Sequence, residues 1–200
     1  MNKLLINFGF LLMLGGFNGC SSISGGTSEN LGGTHFYTLS SMPPSSASVS
    51  NKISIGIGPV EIPRLLNRPQ IVSRKNNTEI IISEKHQWGG SFKEELIRAI
   101  TDNISTLLKT EKIEQYPWKS SFKPDYQIII DVDGLDGTLD KSVTYNARWR
   151  LLKNDKELLV KRALIEVPVK GPGYNIYVKA QSEAVTRFSR DIVEQIKKQN

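Results

Sequence analysis

The chain has 200 residues, a hydrophobic share of 38% and a formal net charge of +6, which suits one domain with a tail and enough apolar side chains for a core. The basic excess is mild and spread out. It suits an anionic membrane surface or an acidic partner, and with no nucleic-acid-binding motif it gives no case for DNA or RNA.

In chain order, residues 1–19 read as a signal peptide. Lys3 supplies a positive n-region, Leu4 to Leu14 an apolar h-region, and Gly15, Gly16 and Gly19 the small residues near a cut. The apolar run is too short for a comfortable membrane span of about 20 residues. Cys20 is the single cysteine, so no intramolecular disulfide can form. Phe17-Asn18-Gly19-Cys20 resembles a bacterial lipobox through Gly19-Cys20, while Phe17 and Asn18 depart from the usual pattern. That resemblance implies acyl chains on Cys20, and Ser21 after it favours sorting to the outer membrane. An ordinary secretory leader with an incidental cysteine is the other reading. Residues 20–34 then form the lipid anchor and a Ser/Gly-rich tether, with a reach of roughly 20 Å, and residues 35–200 the folded domain.

His35 to Leu39 is a strand candidate, followed by a low-complexity loop from Ser40 to Asn51. Ile53, Ile55 and Ile57 alternate with small or polar residues. The phase then shifts to Val60 and Ile62, which predicts a strand bent at Gly58-Pro59. Gln70 to Arg74 and Thr78 to Glu84 predict a hairpin around Asn76-Asn77. Ser91 to Leu108 predicts a helix. Phe92, Leu96, Ala99, Ile100, Ile104, Leu107 and Leu108 share one face, Ser91 and Glu94 are spaced as a capping box, and Lys109 suits the carboxyl end. Tyr126 to Val132 and Val143 to Leu151 alternate as strands. Lys153 to Lys156 makes a turn, Leu158 to Val169 is the partner strand, and Ile176 to Lys198 is a last amphipathic helix. The order predicts an α+β fold: a mixed or antiparallel sheet with two main helices packed on it.

Little in the chain offers chemistry. His35 and His86 are the two histidines, too few with Cys20 for a zinc site. Asp131, Asp133, Asp136 and Asp140 do not follow a calcium loop, since Leu135 and Asp136 stand where Asp or Asn and Gly belong. They read as strand-end carboxylates and an acidic turn. No nucleophile elbow, phosphate loop or helical His-Glu-x-x-His occurs, so no catalytic residue, metal ligand or cofactor site is assigned and the chain is not expected to be an enzyme. Arg64, Arg68, Arg74 and Lys75 form a basic run that suits lipid headgroups or an acidic partner, or merely a solvated loop. Trp88 and Trp118 suit either partner anchors or packing over the sheet.

The segment Ile62-Pro63-Arg64-Leu65-Leu66-Asn67-Arg68-Pro69-Gln70-Ile71-Val72 resembles the PqiC family, also called YmbA-like or ABC-transport auxiliary lipoproteins. Phe36-Tyr37-Thr38-Leu39, Trp88 before the first long helix and Trp149 in a later strand match in order and spacing. Gly89-Gly90-Ser91 departs from the family's usual stretch after the Trp. The resemblance implies a PqiC-like α+β domain in an outer-membrane lipoprotein of an MCE-type lipid-transport system. Such a protein docks an MCE-domain periplasmic conduit, alone or in a ring of copies, held to the membrane through acyl chains on Cys20. The candidate partner-binding residues, taken from this segment and Trp88 and not carried over from the family, are Arg64, Leu65, Asn67, Arg68, Pro69, Gln70 and Trp88. A periplasmic lipid- or small-ligand-binding module, or a regulator of a cell-wall synthase, are the alternatives.

Overall fold

The computed structural model describes residues 33–44 and 52–199. The expected leader, Cys20 and most of the tether lie outside them. Ten elements follow in order: β1 (His35–Tyr37), β2 (Ile55–Glu61), β3 (Gln70–Arg74), β4 (Ile80–Trp88), α1 (Phe92–Leu108), β5 (Ile113–Gln115), β6 (Tyr126–Thr138), β7 (Ser142–Lys153), β8 (Lys156–Pro168) and α2 (Tyr174–Lys198). The eight strands make one mixed sheet, so the fold is α+β with two helices packed on a curled sheet.

The antiparallel β6–β7–β8 meander is its long arm. Asn154 and Asp155 join β7 to β8 with both φ values positive, at 48° and 63°, the geometry that matches the twist of two paired strands. One edge of β6 carries β7 throughout. Its other edge takes β2 in parallel near the start and β3 at Arg74↔Thr138. Beyond these, β4 pairs antiparallel with β3, β1 parallel with β4, and β5 parallel with β2.

The bend expected at Gly58-Pro59 is present as a register shift between Ile57 and Val60. β4 runs four residues past its expected end, carrying His86 and Trp88 into the sheet. The expected acidic turn is confined to Asp140, which follows the strand with φ 64°. A register shift between Val132 and Gly134 breaks the period-two pattern, yet β6 continues to Thr138. Asp131, Asp133 and Asp136 therefore lie within the strand and face Arg148, Arg162 and Arg74 at 3.6, 3.4 and 2.8 Å.

Both helices bury the stripe their spacing sets out. Phe92, Leu96, Ala99, Ile100, Ile104 and Leu108 are buried on α1. The capping box does not form: Ser91 holds the N-cap position in extended backbone without a side-chain cap, and its carbonyl accepts the Glu95 N–H at 3.0 Å. Packing fixes this end instead, with Phe92 against Trp88 at 4.9 Å between ring centroids. Lys109 closes the other end in the left-handed conformation, its N–H donating to Ser105 O. On α2, Phe188 sits between Tyr145 and Trp149 of β7, at 4.8 and 6.1 Å.

The segment after β1, expected as the end of a strand at Leu39 and a loop from Ser40, is held as a strap along α1 and α2. Leu39 N–H donates to Glu95 at 3.2 Å and Leu39 O accepts from Arg98. Ser40 N–H donates to Ser182 Oγ at 3.0 Å, and Met42 N–H to Asn103 Oδ1 at 2.7 Å.

Candidate functional site

The Arg64 to Gln70 segment joins β2 to β3 as a compact loop. Leu66 and Asn67 N–H both donate to Pro63 O, at 2.9 and 3.2 Å, and Arg68 N–H donates to Leu66 O at 2.9 Å. The far side is locked to the sheet by the Trp88 N–H, which donates to Pro69 O at 2.7 Å. Arg64, Asn67 and Pro69 are exposed, Leu65, Arg68 and Gln70 half-buried, and Leu66 buried. Leu66, Val72, Trp88, Phe92 and Leu135 close on one another beneath the loop and leave no water-sized space. Trp88, only 5% exposed, underlies the loop, while its backbone fastens it.

The basic run is divided by its pairing. Arg74 donates to Asp136 at 2.8 Å, and that hydrogen bond raises the guanidinium further above its ordinary value. Lys75 pairs with Glu79 at 3.0 Å. Arg64 and Arg68 remain as the cations of the loop, and the Arg68 Nε is buried with no hydrogen-bond partner among the described residues. Trp118 lies away from this loop, in edge contact with Tyr116 and Phe122 and against Gly56.

Two further features carried no local signal in the sequence. His86 is the middle ring of a stack, 5.2 Å from His35 and 4.0 Å from Tyr174, with Tyr37 Oη 2.8 Å from its Nδ1. Burial, and next the nearby His35, lower the His86 pKa, while burial raises that of Tyr37. A groove of about 420 Å³ lies between the end of β8 and α2. Among the described residues no three His, Cys, Asp or Glu side chains are grouped to hold a metal ion, and no helix is long and apolar enough to cross a membrane.

An α+β fold that presents a locked surface loop over a filled core is the class this geometry defines. Within it, the chain belongs to the family of the ABC-type transport auxiliary lipoprotein component, the PqiC/YmbA-like lipoproteins, whose sequence profile matches residues 37–193. Solved structures share the fold. An uncharacterised protein is 18% identical with a TM-score of 0.70, the match covering 82% of this chain and 99% of the other. A DUF330 protein from Xanthomonas campestris is 15% identical with a TM-score of 0.66, covering 84% of this chain and 100% of its own. The search of curated proteins found no match.

Proposed function

We propose that this chain is an outer-membrane lipoprotein, acylated on Cys20, that docks the periplasmic conduit of an MCE-type lipid-transport system to that membrane without catalysing a reaction. Membership of a transport auxiliary lipoprotein family supports the reading. The observation that carries the docking role is the β2–β3 loop, which holds exposed polar and charged groups on a backbone fixed by its own hydrogen bonds and by Trp88. A pre-organised surface of this kind loses little conformational freedom on binding. In this reading Arg64, Asn67 and Pro69 meet an acidic face of the conduit. Leu65, Arg68 and Gln70 form the inner rim, and Trp88 is the support beneath. Copies arranged in a ring would present several such loops to one conduit.

The test is capture from envelope extract in mild detergent, with the full acylated chain as bait and mass spectrometry to identify what it holds. An MCE-domain protein retained by the wild-type chain, and reduced at least about tenfold by Arg64→Glu with Arg68→Glu, is the expected result; two rim charges reversed at an interface can account for such a loss. Undiminished capture by the double variant would remove this loop from the interface. Retention of a cell-wall synthase with no MCE protein would replace the reading with that of a synthase regulator.

A further inference from the structure

The groove beside α2 has the make-up of a lipid site and lies at the end of the domain where the tether enters. Its apolar floor is Val167 and Pro168 at the end of β8, facing Ile176 and Ala180 one helical turn apart on α2. Its rim carries four charges of unequal availability. Arg187 and Glu183 neutralise each other at 2.8 Å. Lys170 and Lys179 are exposed and pair with no carboxylate among the described residues. The volume of about 420 Å³ falls within the range of ligand clefts.

The ring stack supplies the orientation. His35, at the start of β1, stacks on His86, and His86 stacks on Tyr174, the first residue of α2. The point where the tether joins the domain is thereby fixed beside the amino end of the helix whose first turns, from Ile176 to Arg187, line the groove. About thirteen residues separate Gly33 from Cys20, a reach of roughly 20 Å. In the lipoprotein reading, a tether of that reach keeps the start of the domain, and the amino end of α2 beside it, near the membrane surface.

We infer that the groove between β8 and α2 holds one acyl chain of an anionic glycerophospholipid from that membrane, with its phosphate between Lys170 and Lys179. The charge choice follows from the lining, where Lys170 and Lys179 stand outside the ion pairs of the described residues and the one lining carboxylate, Glu183, is engaged by Arg187. The apolar floor explains why a free phosphate would not suffice. This inference rests on the lipoprotein reading for its orientation and is independent of which protein the β2–β3 loop meets.

Native mass spectrometry of the full acylated chain, released from detergent after titration with phosphatidylglycerol or phosphatidylcholine, tests it. The same spectra report the acyl mass on Cys20, so a failure of anchoring is distinguished from a failure of the groove. One phosphatidylglycerol should be retained per chain, phosphatidylcholine more weakly, and inorganic phosphate in excess should not displace it. Lys170→Glu with Lys179→Glu, both on exposed side chains, should weaken phosphatidylglycerol about tenfold or more. Ile176→Asn should weaken both lipids alike while the melting temperature shows the chain still folded. Equal retention by wild type and the charge-reversed variant, no lipid retained by an acylated wild type, or displacement by inorganic phosphate would each overturn the proposal.

Discussion

Gly137 illustrates how a single residue sets the geometry of the long arm. It sits opposite Val143 near the closed end of the β6–β7 hairpin, and a Cβ placed there would stand 2.0 Å from Ser142 O and 2.7 Å from the Val143 Cα. The obstruction is backbone, which cannot rotate aside, so the hairpin must open. Gly137→Ala is expected to cost about 2 kcal/mol or more in urea unfolding, toward the upper end of overpacking penalties; a loss under about 0.5 kcal/mol would show that the hairpin end yields freely. The sequence does not announce this constraint, because a glycine in a strand reads as weakness or a bulge until its cross-strand neighbour is known. Trp88 was legible to a greater degree. Its position before the helix pointed to packing or to a partner, and the structure puts its ring in the core and its N–H on Pro69 O.

At the scale of elements, the strap from Leu39 to Met42 clasps α1 and α2 through polar groups. Asn103 is fully buried and central to it. It accepts from Met42 N–H at 2.7 Å and donates to Thr186 and Ser189 hydroxyls at 3.4 and 3.5 Å. Asn103→Ala would strand the Met42 N–H against an apolar neighbour and leave a small void. The expected loss is about 1–3 kcal/mol, the desolvation cost of a buried group without its partner. Amide hydrogen exchange should show Met42 losing protection, and an unchanged exchange rate there would mean that the strap is held without Asn103. Helices and hairpins were visible in chain order because their periodicities are local: the α1 stripe, the β7 alternation and the Asn76 turn each lie within one window of sequence. The strap was not, since Ser40, Ser41 and Met42 owe their order to side chains on two distant helices. The continuation of β6 was hidden for a different reason, as the shift after Val132 reverses which parity of residue faces inward.

The whole domain is organised around the contact between α2 and the meander. Phe188 is fully buried between Tyr145 and Trp149, whose ring also lies 5.9 Å from the Lys161 ammonium. Burial lifts the Tyr145 hydroxyl above its ordinary pKa. Phe188→Ala should lower stability by about 3–5 kcal/mol, as for other large aromatic truncations in a core. Because sheet, strap and both helices share this core, far-ultraviolet circular dichroism and tryptophan fluorescence should report the same urea midpoint in wild type and variant. Two separate midpoints would mean that the meander and the β1–β4 side are independent units. The α+β class followed from the order of periodic segments. The parallel pairings of β1 with β4 and of β2 with β6 did not, because nothing local encodes which distant edges meet. The groove is legible only here, since its walls are 8 to 20 residues apart in sequence yet meet through tertiary packing.

The strap also places a condition on how the chain comes into being. Its hydrogen-bond partners lie from 56 to 142 residues downstream, the farthest on the last helix. A chain emerging from the ribosome thus completes the strap only after its final helix is available, and contacts of such sequence separation form slowly. For an exported lipoprotein as proposed above, the strap would therefore close only in the compartment that receives the complete chain.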